Sequence, residues 1–304
     1  MVASTSVNGA WAVVLTSTNQ YIKGVIAIKH ALHNLHKSQY PLLVLYTSAV
    51  APQAVQTLKK IGCIVKEIEP IHPSGKVDYK SERFTETWTK LAVWGQDEYE
   101  RLVLLDADML PLQNMDELMQ VPLPNKDWVA ASHACICNPQ KIKHYPSNWI
   151  PENCAYTGCD TSACINPRSA DNGYSYFNSG LIVLTPSGDK LAFMLQYLNS
   201  ISDLNIYPFP DQDFLNEIFN NQWRPLPYTY NALKTLQWAH KPMWSLPHIK
   251  NVHYIITKPW DIDLDHDLND LENIYRPLYE LWWASYNRIT KSIYAPEEMN
   301  QAML

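Results

Sequence analysis

The stretch "ERLVLLDADMLPLQNMDEL", Glu100–Leu118, decides how the rest of the chain is read. Four apolar residues, Leu102–Leu105, stop at Asp106. A second carboxylate follows at Asp108, and Met109, Leu110 and Pro111 turn the chain away. A short apolar run without alternation fits a strand buried on both faces, as in a parallel sheet covered by helices. In such sheets ligands bind beyond the carboxyl ends of the strands, where these two acids lie. Residues i and i+2 of an extended segment point the same way, so both carboxylates can converge on one hard cation. The bland alternative is a pair of acids solvating a strand end. The buried run before them and the turn after them favour the metal.

The flanking sequence supports that frame. "WAVVLT" (Trp11–Thr16) reads as a buried strand, and Tyr21–Leu35 carries Ile22, Val25, Ile26, Lys29 and Leu32 at helical steps. "PLLVLY" (Pro41–Tyr46) is a second strand, Pro52–Ile61 a short helix ending near Gly62, and "CIVKEI" (Cys63–Ile68) a third strand. Strands alternating with helices predict an α/β fold with a mainly parallel sheet flanked by helices. After "VAASHA" (Val129–Ala134), residues 135–176 are rich in Pro, Asn, Cys, Ser and Tyr and show neither period, so they read as an ordered loop or insertion. Regularity returns with a strand at Gly180–Leu184, a helix at Asp189–Ser200, and "DQDFLNEIF" with Asp211 near a helix start. In the acidic, aromatic tail, 261–304, Leu278–Ile289 reads as a docking helix whose Trp282 and Trp283 are core residues. No repeat or low-complexity linker divides the 304 residues, which predicts a single domain.

Glycine is scarce, with nine residues, and neither GxGxxG nor GxxxxGK[ST] occurs. No glycine-rich loop is available to wrap a phosphate in backbone N–H groups, so a cation held by Asp106 and Asp108 would have to meet that charge. The net charge of −6, without a basic run, argues against nucleic acid as a partner. No apolar segment approaches the roughly 18 residues of a membrane span, and the first apolar run lacks a preceding positive region. A soluble, cytoplasmic protein is expected. Six cysteines in a chain of this length do not suggest a disulfide scaffold. Cys135, Cys137, Cys154 and Cys159 form a CxC followed by Cx4C, which invites a zinc reading. The first pair is closer than the usual CxxC knuckle, and free thiols or a packed loop are the expected state.

Two further groups carry chemistry. In "VHYIITKPW" (Val252–Trp260), His253 suits a third ligand for a manganese-like ion, and Lys258 is a point charge suited to a diphosphate. In "FNSGLIVLTPS" and "FPDQDFLN", Asn178, Ser179, Asp211, Gln212 and Asp213 place amide, hydroxyl and carboxylate groups at element ends. Such groups suit sugar hydroxyls, or equally the capping of a turn and a helix.

With "VVLTSTNQYIKG", "TETWTKLAVW", "LLDADML", "FNSGLIVLTPS", "DQDFLN" and "HYIITKPW" in this order, the chain resembles glycosyltransferase family 8, which includes glycogenin and the galactinol synthases. The resemblance spans roughly Val13–Trp260. It implies a GT-A type, Rossmann-like mixed sheet and a retaining transferase that uses a UDP-hexose with manganese or another divalent cation. By position, Asp106, Asp108 and His253 would hold the metal, with Ala107 beside the nucleotide and Lys258 on the diphosphate. Leu15, Ser17 and Tyr21 would line the uridine pocket, with the Tyr21 ring against the base. Lys90, Asp211 and Gln212 would serve catalysis, and Asn178 and Ser179 would lie at the transferred sugar. A small polyol or sugar is the implied acceptor, and a homodimer is kept among the partners. The sequence departs from glycogenin in placing Trp238 near its self-glucosylated tyrosine and Pro208 at one of its acids. The insertion after Ala134 is nearer the galactinol synthases. Competing readings are a haloacid-dehalogenase-type phosphatase, disfavoured by the late position of the acid pair and by Leu110, and a sugar-nucleotide-binding protein without turnover.

Overall fold

The computed structural model describes residues 7–17, 20–77, 86–161, 175–266 and 268–293. Parts of the 135–176 insertion and of the 261–304 tail therefore lie outside the described residues. The first strand, β1 (Gly9–Leu15), is followed by helix α1 (Tyr21–Lys29), β2 (Leu42–Tyr46), α2 (Pro52–Lys60) and β3 (Ile64–Glu67). Helical spacing over 21–35 resolves into α1 and a π-helical turn, His30–Leu35. Gly62, at φ +83°, stops α2: its N–H reaches Lys59 O and the Cys63 N–H reaches Leu58 O, a left-handed helix cap that glycine adopts without strain.

β4 (Arg101–Leu105) and the short β5 (Met109–Pro111) bracket the acid pair, and β6 (Val129–His133) precedes the insertion. Then come β7 (Phe177–Leu184), α3 (Gly188–Ser200), α4 (Pro210–Ile218) and β8 (Trp223–Leu226). The chain closes with β9 (Ala232–Leu233), the single turn α5 (Leu236–Ala239), β10 (Asn251–His253) and α6 (Asp270–Ile293). The tail helix thus runs well beyond Leu278–Ile289, and Trp282 is fully buried in it.

Seven strands form one sheet in the order β3-β2-β1-β4-β7-β6-β8. The pairings β2–β3, β1–β2, β1–β4 and β6–β8 are parallel, while β7 runs antiparallel to β4 and β6. Apolar residues pack on both faces. Trp11, Val13, Val44, Val103 and Leu105 face one core, and Ala10, Ala12, Leu43, Leu102 and Leu104 face the other. That two-sided burial explains why these strands read as continuous apolar runs. A small second sheet, β5-β10-β9, lies beside a third core under α6.

Two strand directions build the mouth of β4. Because β7 is antiparallel to β4, with Leu105 opposite Leu181, its first residues Asn178 and Ser179 arrive where β4 ends. Because β10 pairs antiparallel with β5, with His253 opposite Met109, the imidazole arrives beside Asp108. One expectation about this mouth is corrected. Asp106–Asp108 is a turn between β4 and β5, not an extended segment, so the convergence of its carboxylates comes from that turn.

Candidate active site

A cavity of about 600 Å³ opens at this mouth. Leu15, Ser17, Tyr21, Lys90, Asp106, Ala107, Asp108, Asn178, Ser179, Asp211, Gln212, His253 and Lys258, all named from the sequence, line it. Val14 to Ser17 follow from β1, the acids from β4, and the amide and hydroxyl groups from the start of β7 and the first turn of α4.

Asp106, Asp108 and His253 offer three donor atoms to one point. His253 Nε2 lies 3.2 Å from Asp108 Oδ1 and 3.8 Å from Asp106 Oδ2. Which ring nitrogen carries the proton follows from a chain of hydrogen bonds anchored on the backbone. The Gly180 N–H can only donate, and it donates to Asn178 Oδ1 (3.0 Å). That oxygen also accepts from Asn231 Nδ2 (2.8 Å), which turns Asn231 Oδ1 towards His253 Nδ1 at 2.9 Å. Nδ1 therefore donates, which leaves Nε2 facing the carboxylates, where it can donate a proton to Asp108 or, once deprotonated, offer its lone pair to a cation. A carbonyl that fixes the tautomer of a histidine in this way is the usual support of a metal ligand. Two carboxylate oxygens and one imidazole form a donor set suited to manganese-like ions, with the remaining positions left to substrate and water.

Backbone packing enforces the same geometry. A Cβ added to Gly180 would stand 2.4 Å from His253 Cε1, and one added to Gly24 would stand 1.8 Å from Ala107 O. Glycine in α1 lets the helix touch the acid-bearing turn, and glycine in β7 leaves room for the imidazole ring. Two more backbone bonds tie the turn: Asp106 N–H to Gly180 O (2.8 Å) and Tyr254 N–H to Asp108 O (2.8 Å).

Charges alternate along the floor. Lys258 donates to Asp108 Oδ2. Burial alone would push the Asp108 carboxyl up, but Lys258 and His253 outweigh it and hold the group well below the usual carboxylate range. Lys90 bridges Asp106 (2.8 Å) and Asp211 (2.6 Å), so it joins the acid pair after β4 to the acid of α4. Burial opposes its charge, yet the two carboxylates raise its pKa above the normal lysine value. Asp211 also accepts from Ser179 Oγ (2.9 Å). Gln212 Oε1 accepts from Asn178 Nδ2 (2.9 Å) and the Ser179 N–H (3.2 Å), and its Nε2 donates to Tyr176 OH (2.9 Å). Tyr176 in turn donates to Asp213, which burial raises to about 6.

On the opposite side the Tyr21 ring meets the edge of Trp260 at 5.1 Å. Trp149 and Phe209 stack at 4.6 Å and 10°, with Tyr145 edge-on to Phe209 at 4.9 Å, forming an aromatic wall. Sequence reasoning did not single out Asn231, Tyr176, Gly24, Gly180 or this wall. Asn231 sits in "YTYNAL", a stretch without a chemical motif of its own, and its role depends on a contact 22 residues away in sequence.

Comparison with known proteins identifies the family. Residues 12–263 match the model of glycosyl transferase family 8. Galactinol synthase 1 of Solanum lycopersicum is 32% identical over 92% of this chain and 82% of its own, and galactinol synthase 7 of Arabidopsis thaliana is 30% identical over 91% and 81%. Among solved structures, the galactosyltransferase LgtC, in complex with donor and acceptor sugar analogues, superposes with a TM-score of 0.60 at 15% identity, covering 96% of this chain and all of that one. The WbbM bifunctional glycosyltransferase superposes with a TM-score of 0.57 at 18% identity over 91% of this chain, which spans about half (51%) of the WbbM chain. The chain belongs to glycosyl transferase family 8 and is a UDP-sugar-dependent glycosyltransferase on a GT-A fold.

Proposed function

We propose that the chain transfers the galactosyl group of UDP-galactose to a hydroxyl of myo-inositol, with retention at the anomeric carbon. The observation that carries the donor side is the convergence of Asp106, Asp108 and His253 at a cavity that also holds Lys258 and Asp211. The acceptor side is supported by the galactinol synthase relatives, which align over about nine-tenths of the chain. It is also supported by the aromatic wall of Tyr145, Trp149 and Phe209, against which the C–H face of a cyclohexane polyol can pack.

Asp106, Asp108 and His253 would hold a manganese-like ion. When bound, the cation supplies Lewis-acid stabilisation of the charge that grows on the UDP leaving group. Lys258 adds a second positive charge for the diphosphate, and Lys90 holds the Asp211 carboxylate oriented beneath the sugar. Leu15, Ser17 and Tyr21 line the end of the cavity assigned to uridine.

Retention could use an enzyme nucleophile or attack of the acceptor from the leaving-group face. The hydrogen bonds favour the second. Asp211 is committed to Lys90 and Ser179, and both ends of the Gln212 amide are occupied, which makes either a poor attacking group. In the favoured route the inositol oxygen forms the new bond to the anomeric carbon as the bond to UDP breaks, and the departing phosphate oxygen takes the hydroxyl proton. Asn178, Asp211 and Gln212 position the sugar.

A donor and acceptor screen reading UDP release tests this. Release that needs UDP-galactose, inositol and manganese together, and stops with a chelator, is the expected result. Turnover of UDP-glucose at the same rate without inositol would overturn the assignment in favour of a glycogenin-like activity.

A further inference from the structure

Cys135, Cys137, Cys154 and His240 form a second group of potential ligands, with all four donor atoms within 4.8 Å of one another. The His240 Nε2 atom lies 3.2 Å from Cys137 Sγ, 3.4 Å from Cys135 Sγ and 3.6 Å from Cys154 Sγ, and the Cys135 and Cys154 sulfurs are 4.0 Å apart. As hydrogen bonds these contacts are oversubscribed. One imidazole nitrogen offers a single lone pair or a single hydrogen, yet three sulfurs surround it. As the edges of a coordination tetrahedron they fit. Zn–S bonds of about 2.3 Å and a Zn–N bond of about 2.0–2.1 Å give S···N edges of about 3.6 Å and S···S edges of about 3.8 Å.

We infer that this chain carries a structural zinc site built from Cys135, Cys137, Cys154 and His240, separate from the carboxylate site of catalysis. Thiolate and imidazole ligands select zinc over the oxygen-seeking manganese and magnesium. Four protein ligands leave no open position, which marks the site as structural. Cys159, the fourth ligand suggested by the Cx4C spacing, is not one of the converging groups; His240, at the end of α5, stands in its place. The position of His240, 86 to 105 residues after the cysteines, hides it from any spacing argument.

The site has a purpose in the fold. Cys135 and Cys137 immediately precede Asn138, Pro139, Gln140 and Ile142, which line the catalytic cavity, and Asn138 bonds both ways to the backbone of Ile142. Zinc would pin this wall to the segment that follows β9. The bound cation therefore acts as a positioning element for the acceptor side, and its loss should raise the KM for acceptor more than it lowers kcat.

The test uses untagged full-length protein purified without chelator, with metals measured by plasma mass spectrometry. Wild type should hold close to one zinc per chain, and so should Asp108→Asn. Cys154→Ser and His240→Ala should fall to background, with faster proteolysis in 135–160 and a raised acceptor KM. Should these variants fail to fold, wild type refolded with cobalt decides: a thiolate-to-cobalt charge-transfer band with intense tetrahedral d–d absorption is expected. A zinc-free wild type without that band, or a disulfide among the three cysteines in non-reducing peptide mapping, overturns the proposal.

Discussion

Two clusters of metal-ligand type occur in the described residues, and they are built on opposite chemical rules. Asp106, Asp108 and His253 offer two oxygens and one nitrogen, face a cavity, and are partnered by Lys90 and Lys258. Cys135, Cys137, Cys154 and His240 offer three sulfurs and one nitrogen that converge on one another. The first set is incomplete by design: a hard cation there must take substrate oxygens to fill its shell. The second is complete and can only hold structure. Within one chain, ligand softness and ligand count separate chemistry from scaffolding.

The largest expected effect separates the two directly. Asp108→Asn removes a ligand and the partner of Lys258, and should lower turnover by about 100-fold or more. Its zinc content should stay unchanged. Loss of both metals in this variant would show that the clusters are not independent.

Asn231→Ala tests the support rather than the ligand. Without the Asn231 carbonyl the His253 ring loses what fixes its tautomer, and a fall of about 10–100-fold in manganese affinity or turnover is expected. Unchanged manganese dependence in the kinetic assay would remove Asn231 from that role.

Gly24→Ala asks how rigid the acid-bearing turn is. The new methyl would overlap Ala107 O, so helix and turn must part, at a cost of about 1–3 kcal/mol in urea unfolding. Turnover should fall as well, while zinc content remains. Wild-type stability and turnover together would mean that α1 moves freely against the turn.

The smallest effect is a pH dependence. Asp213 titrates at about 6 in the folded chain, raised from 3.8 chiefly by burial. Between those values the folded state binds a proton that the unfolded state has released, so this group makes stability fall as pH rises from about 4 to 6. The cost persists above that window. Asp213→Asn should flatten this slope, read as the difference between the two proteins in urea unfolding at pH 4 to 7. Parallel pH profiles would show that Asp213 is solvated.

Much of the fold was legible because two-sided burial leaves a mark in one dimension. β1, β2 and β4 are apolar runs since both faces are covered, and the interruption at Asp106 marks the end of the strand. Helix ends were legible where a local rule operates, as at Gly62. The grouping of chemically active residues was legible as well: Asp106, Asp108, His253, Lys258, Lys90 and Asp211 all line one cavity. What escaped were residues whose roles rest only on what they contact across the fold. Asn231 and His240 have no local signature, and Gly24 and Gly180 matter only because of what presses against them.

The order of apolar runs and the abrupt acid pair determine, by themselves, an α/β sheet with two carboxylates at the end of a buried strand, and the scarcity of glycine leaves no glycine-rich phosphate loop. Strand direction belongs to the tertiary structure: the antiparallel placement of β7 and β10 carries Asn178, Ser179 and His253 to the mouth of β4. The same is true of the folding of 135–154 against the segment after β9, which turns an unpromising cysteine spacing into a four-ligand cage. The physical reason is that burial and turn chemistry act between neighbours along the chain, whereas a coordination shell is a condition on distances between residues that only packing brings together.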